Sequence, residues 1–88
     1  MLTRHLAKRL AGERITVNAI APGPFESKMM AFVLDDPKGR ELVEASVPLG
    51  RIGDPDDVAG LTILLSSRAG SYLTGTVIPL DGGITGCN

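Results

Sequence analysis

The chain has no excess of charge of either sign: nine lysines and arginines stand against ten aspartates and glutamates, a net −1 at pH 7 over 88 residues. Without a basic stripe to displace counterions from a phosphate backbone, nucleic acid is excluded as an expected partner. Long apolar runs are missing as well. Those around Ile15 to Pro24 and Val58 to Leu65 are interrupted by Asn18, Gly60 and Thr62, and both fall short of the roughly 20 residues that cross a bilayer, so no membrane partner is expected. Cysteine occurs once, at Cys87, which leaves neither a disulfide framework nor a Cys/His metal set and makes a reducing cytoplasm the expected setting. Tryptophan is absent, and Phe25, Phe32 and Tyr72 are the whole aromatic complement. The opening MLTRHLAKRLAGER lacks the continuous apolar core and the small-residue cleavage site of a signal peptide.

What is present fits a small folded unit. Hydrophobic residues make up 43% and charged residues 22%, a globular balance, although a chain this short buries only about two-thirds of its unfolded surface. Leu2, Leu6 and Leu10, with Ala7 and Ala11 beside them, mark one face of a helix over 1–12 that Gly12 stops. Only Met1 precedes Leu2, so this helix begins in mid-turn without a capping side chain. ITVNAIA, residues 15–21, is apolar on both faces, the pattern of a parallel strand covered on both sides.

Residues 22–50 form a long loop with short helices at 29–34 and 39–47. Asp36 caps the second of these and Pro37 takes its first helical position, where a missing N–H costs nothing. Asp54 and Pro55 repeat that design and open a helix over 55–68, with Asp56 and Asp57 in its first turn and Val58, Leu61, Leu64 and Leu65 on its apolar face. TVIPL, residues 76–80, is a short strand that Pro79 places at or near a sheet edge. Asp81-Gly82-Gly83 then turns the chain into a tail over 84–88, where Cys87 is expected as a free thiol in a mobile segment. A right-handed crossover makes the two strands parallel and adjacent. Two strands make a poor sheet alone, so the sequence reads as the end of an α/β fold.

Chemistry concentrates in NAIAPGPFES, residues 18–27. Ligands of open α/β sheets bind outside the carboxyl ends of the strands, and this segment leaves such an end. A glycine at 23 permits close approach of backbone to a ligand; the alternative is a proline-stiffened strand exit with no ligand. Met29, Met30, Phe32, Val33 and Leu34 are either a flexible apolar lid over a substrate or side chains packed on the protein body. Asp54, Asp56 and Asp57 do not follow the alternating spacing of a calcium loop and read as helix capping. Arg51, in a glycine-bounded turn, reads as a residue that pins loops through its five donors. His5 has no acid or nucleophile at a useful spacing and is expected at the surface or a subunit contact.

LTRHLAKRLAGERITVNAIAPGPFESKM, PLGRIGDPDDVAGLTILLSS and YLTGTVIPLDGG, in that order and over nearly the whole chain to Gly83, resemble the C-terminal third of the short-chain dehydrogenase/reductase family. Within it they are most similar to the 3-oxoacyl-carrier-protein reductase and sugar-alcohol dehydrogenase branch. The resemblance implies the C-terminal part of a Rossmann-type doubly wound parallel sheet, ordered helix, strand, helices, helix, strand, and incomplete on its own. It implies NAD or NADP as cofactor, a small alcohol or carbonyl substrate interconverted by hydride transfer, and a homo-oligomer. By the same resemblance Pro22 and Gly23 pass close to the nicotinamide, the Phe25 N–H meets its carboxamide with help from the Ser27 hydroxyl, and Met29, Met30, Phe32 and Val33 form the substrate lid. The apolar character of that lid points to an acyl or other non-polar substrate. The family's glycine-rich loop and its catalytic Ser, Tyr and Lys are not among these 88 residues, so no catalytic residue is assigned and the isolated chain is expected to be inactive. Met1 is then an internal methionine serving as a start, or the edge of a fragment. The alternatives are a non-catalytic association module, or a truncated product with no function of its own.

Overall fold

The structure, a computed structural model, describes residues 1–87; Asn88, the end of the expected tail, lies outside the described residues. Among the described residues four α-helices and two strands follow in the order α1 Leu2–Leu10, β1 Ala19–Pro22, α2 Ala31–Leu34, α3 Pro37–Ala45, α4 Pro55–Ser66 and β2 Val77–Leu80, with 3-10 turns at Ala11–Glu13 and Arg68–Gly70. The chain divides into two compact units, one of Met1–Ala21 and Ala59–Ile78, the other of Pro22–Val58 with the residues from Pro79 on.

β1 and β2 are neighbours in a two-stranded sheet. The N–H of Ala19 donates to the Thr76 carbonyl at 2.9 Å and the N–H of Gly23 to the Leu80 carbonyl at 2.9 Å, so both strands advance together and the pairing is parallel, as the crossover rule requires. The expected strand over 15–21 is shifted to Ala19–Pro22. At its start, Val17 and Asn18 meet the Leu73–Thr76 turn through side chains as well as backbone, the Val17 carbonyl accepting from the Gly75 N–H at 2.7 Å. The Val17 N–H donates to Thr74 Oγ1 at 3.1 Å, the Asn18 amide donates to the Leu73 carbonyl at 3.0 Å, and Asn18 Oδ1 accepts from both the N–H and the hydroxyl of Thr76. At its end, Pro22 stays in the strand because alternate residues of a parallel ladder direct their N–H groups to opposite sides, and Gly23 supplies the next donor. The strand is not covered on both faces: Ala19 and Ile20 are half-buried, while Ala21 and Pro22 are exposed.

In the first unit α1 keeps Ala7 buried, yet Leu2 is 71% exposed and Leu6 36%, so the leucine stripe is not the face that this chain covers. Gly12 is not the stop. It lies inside the 3-10 turn, and the left-handed residue is Arg14, at φ 60°, whose N–H returns to the Ala11 carbonyl. Lys8 and Arg9 in the last helical turn face the negative end of the helix dipole.

In the second unit Leu34, Val47 and Ile52 are buried. α3 begins where Asp36 and Pro37 place it, two residues ahead of the expected 39, with the Asp36 carboxylate accepting from the Lys38 N–H at 3.4 Å. Met29 and Met30 lie in a turn ahead of α2 rather than in its helix. α4 ends at Ser66, short of 68, and β2 begins at Val77. The tail is tied back: Asp81 Oδ1 accepts from the Gly83 N–H at 3.0 Å, Asp81 Oδ2 accepts from the Thr85 N–H and hydroxyl at 3.1 and 2.6 Å, and the Cys87 N–H donates to the Gly83 carbonyl at 2.8 Å. These bonds hold the Asp81 carboxyl below its ordinary pKa, the Thr85 hydroxyl contributing most. No described helix is long and apolar enough to cross a membrane.

Candidate functional site

The candidate loop leaves β1 at Pro22, and its first residue is fixed by the chain's own backbone. A β-carbon on Gly23 would lie 2.6 Å from Cβ and 2.8 Å from Cα of Asp81, far inside the separation at which carbon atoms attract. Glycine is therefore required at 23 by the exit of β2, whatever else approaches it.

Two residues on, Phe25 pairs with Gly53 in an isolated parallel bridge. The Gly53 N–H donates to the Pro24 carbonyl at 3.0 Å and the Gly53 carbonyl accepts from the Glu26 N–H at 3.4 Å. In a parallel bridge the residue between those two bonds turns its own N–H and C=O to the opposite side. The Phe25 N–H is thus aimed away from Gly53. The Phe25 ring lies across the Gly53 α-carbon, so that a β-carbon there would stand 2.6 Å from Cζ and 2.7 Å from Cδ1.

Gly53 is in turn held by its neighbours. Asp54 and Asp57 form a reciprocal cap on α4: Asp54 Oδ1 accepts from the N–H groups of Asp56 and Asp57 at 2.9 and 3.3 Å, and Asp57 Oδ2 accepts from the Asp54 N–H at 2.9 Å. Arg51 grips the same Asp57 carboxylate with both Nη atoms, at 2.8 and 3.0 Å, and also donates to the Ile52 carbonyl. The Arg51 guanidinium, with the Asp54 N–H, holds the Asp57 carboxyl down to about 2 from its ordinary 3.8. Capping and loop-pinning are the roles the residue types indicate, and the geometry carries both. Among the described residues no group of three or more His, Cys, Asp and Glu side chains could hold a metal ion.

A partly open pocket of about 120 Å³ borders the loop, lined among others by Pro24, Phe25, Leu49, Arg51, Asp57 and Asp81. Of the four expected cofactor residues only Phe25 lines it. Ser27 is exposed, its Oγ accepting from the Met30 N–H at 3.3 Å, which leaves the hydroxyl hydrogen to donate. Glu26 between them meets Arg40 of α3 at 2.7 Å. In the lid, Met29 is 87% and Phe32 81% exposed, while Met30 and Val33 are half-buried and Leu34 belongs to the core. Leu34 is therefore packed on the protein body, and Met29 and Phe32 are not. α2 and α3 meet where Gly39 stands against the Val33 carbonyl, with no room for a β-carbon.

The bridge from Gly53 to the loop, and the staple that Asn18 makes to the 73–76 turn, have no sequence signal beyond a glycine two positions past an arginine and an asparagine inside an apolar run. Both are pairings between residues far apart in the chain.

Residues 1–85 match the family described as Enoyl-(Acyl carrier protein) reductase. A rhamnolipids biosynthesis 3-oxoacyl-(acyl-carrier-protein) reductase of Pseudomonas aeruginosa is 52% identical over 82 residues, covering 93% of this chain and 32% of its own length. The 3-oxoacyl-(acyl-carrier-protein) reductase FabG of Thermotoga maritima is 45% identical over 83 residues, covering 94% and 33%. Among solved structures, the Pseudomonas aeruginosa RhlG/NADP active-site complex superposes with a TM-score of 0.90 at 52% identity, covering 94% of this chain and 32% of that one. The chain spans about a third of the length of these relatives. That coverage shows a part of a Rossmann-like fold, not which end of the relatives the part represents. With a parallel pair of strands, a proline-glycine exit loop and a family match from end to end, the chain belongs to the enoyl-(acyl carrier protein) reductase family of short-chain dehydrogenases/reductases.

Proposed function

We propose that this chain is the C-terminal third of an NAD(P)-dependent oxidoreductase that interconverts an alcohol and a carbonyl, and that it supplies the nicotinamide-facing loop and the substrate lid. The observation that carries the reading is the Phe25–Gly53 bridge, which aims the Phe25 N–H out of the loop just beyond a strand's carboxyl end. The donor set fits a carboxamide: the Phe25 N–H offers a hydrogen to its oxygen, and the Ser27 hydroxyl, already accepting from Met30, can donate a second. Pro22 and Gly23 lead from the strand into that group, and this reading puts them beside the nicotinamide. Met29 and Phe32, exposed on the lid, offer apolar cover to an acyl or similarly non-polar substrate. The nicotinamide, when bound, gives or takes the hydride.

Tyr72 is the chain's only tyrosine and is followed by Leu73-Thr74-Gly75-Thr76; no lysine stands four positions on. On the family resemblance the proton donor for the carbonyl oxygen is supplied by residues outside these 88, and the chain by itself is expected to be inactive. A cytoplasmic setting accords with the single cysteine.

The test is a chimaera in which the matching third of the Pseudomonas aeruginosa reductase is replaced by residues 1–85, titrated with NADPH and with NADH by fluorescence and assayed for nucleotide oxidation. Binding with turnover is expected, and no turnover from the 88-residue chain alone. A chimaera that folds and melts like the parent yet binds neither nucleotide overturns the reading. The adjoining coding sequence tests the C-terminal assignment, since a Tyr-x-x-x-Lys pattern is expected in frame upstream of Met1.

A second reading, a non-catalytic association module, is favoured by the apolar side chains left open in the first unit, with Leu2 at 71%, Ile63 at 67% and Tyr72 fully exposed. Light scattering separates the two, because an association module cannot be a stable monomer at micromolar concentration.

A further inference from the structure

We propose that Gly53 and the Arg51–Asp57 pair are positioning residues for the cofactor loop, setting the place and direction of the Phe25 amide without touching the cofactor themselves. This rests on the nicotinamide reading of the loop.

Three observations combine. The first is that the loop at Pro24–Glu26 is anchored at its middle by the two backbone bonds to Gly53. Those bonds also decide which way the Phe25 N–H points, since they occupy the opposite side of the strand. The second is the partly open pocket of about 120 Å³ beside Pro24 and Phe25. Close packing on that face would fix the loop regardless of its hydrogen bonds, as it does in a filled interior. The pocket leaves that side of the loop open, so the bridge to Gly53 and the contact of Gly23 with Asp81 are what hold the loop. The third is that Gly53 occupies a link of four residues, Arg51 to Asp54, whose ends are both tied to one carboxylate: Arg51 through its guanidinium and Asp54 through its N–H, each to Asp57. Asp57 itself sits in the first turn of α4. A displacement of the carboxylate would therefore move Gly53 relative to the helix, and the Phe25 amide with it.

Gly53 has a further constraint. Any side chain at 53 meets the Phe25 ring, at 2.6 Å from Cζ for the β-carbon alone. The ring has the cavity to retreat into, so Gly53→Ala is expected to tilt Phe25 and turn its backbone rather than unfold the unit. Asp57→Asn keeps the side-chain size but removes the charge that makes Arg51 bidentate.

The experiment has two arms. In the 88-residue chain, amide hydrogen exchange is followed at Glu26 and Gly53, the two donors of the bridge; both are expected to lose protection in Asp57→Asn and to keep it in Asp57→Glu. In the chimaera, NADPH affinity and KM are measured for Gly53→Ala, Asp57→Asn and Asp57→Glu. Losing one aligned hydrogen bond to the carboxamide is felt at about tenfold in affinity. Asp57→Asn and Gly53→Ala are therefore expected to weaken NADPH binding about tenfold, while kcat at saturating nucleotide changes less and Asp57→Glu recovers most of the loss. A purely structural role would lower the melting temperature and leave KM alone, and that outcome overturns the inference. So does unchanged exchange at Glu26 and Gly53. Failure of the unsubstituted chimaera to bind NADPH strikes the cofactor reading itself, and this inference with it. Binding that survives every variant strikes the inference alone.

Discussion

Replacing Gly23 by alanine adds one methyl group at a place where the added carbon would stand 2.6 Å from Cβ and 2.8 Å from Cα of Asp81. Carbon atoms pack favourably at about 3.5–4.0 Å, so Gly23 and Asp81 must part by about 1 Å. The bond from the Gly23 N–H to the Leu80 carbonyl, 2.9 Å long, lies on the same path and stretches with them. Overpacking of this kind costs about 1–3 kcal/mol. Against a urea slope of about 1 kcal/mol/M for so small a chain, that is a fall of roughly 1–3 M in the midpoint. Gly60 is the matched control. It lies inside α4, and a β-carbon there meets nothing within 4 Å, so Gly60→Ala is expected to raise stability by about 0.5–1 kcal/mol through helix propensity. Urea melts followed by far-UV circular dichroism measure both changes. Making Gly23→Ala on the Gly60→Ala background keeps the weakened chain folded enough to measure. A midpoint unmoved by Gly23→Ala would refute the account of Gly23 as a contact of the chain with itself and return the glycine to a role toward ligand only.

Two further outcomes follow from the bonds described. Asn18→Ala strips the Leu73 carbonyl and the Thr76 N–H of a partner in a half-buried place and is expected to cost about 1–3 kcal/mol, read as lower melting temperature and faster amide exchange at Thr76. The Asp57 carboxyl has a folded-state pKa depressed to about 2 from 3.8, so its contribution to stability is complete above the ordinary value and lost as pH falls from there towards 2. A melting-temperature profile over that window is expected to flatten in Asp57→Asn relative to the unsubstituted chain; two profiles of the same shape would exclude the Arg51–Asp57 pair as its source.

Much of the architecture could be read from local rules. Asp36-Pro37 and Asp54-Pro55 announced α3 and α4 because a cap and a proline act within one turn of where they stand. The parallel pairing followed from the long helical excursion between the strands, the connection that parallel neighbours require. The strand boundaries did not. Val17 and Asn18 are as apolar-flanked as Ala19 and Ile20, and only their contacts with the Leu73–Thr76 turn, more than fifty positions on, decide where the strand starts. The stop of α1 also went elsewhere, to Arg14 rather than Gly12, because a 3-10 turn intervened.

For the candidate site the division is sharper. The sequence by itself determined that a proline-glycine loop leaves a strand at Pro22, that Phe25 and Ser27 lie on it and that an apolar segment follows, since residue type and spacing are local properties. It also determined the family, because three motifs in one order need no coordinates. What only the tertiary structure decided is the orientation of the Phe25 amide. That follows from the bridge to Gly53, a contact between segments distant in the sequence whose proximity arises only when the backbone folds.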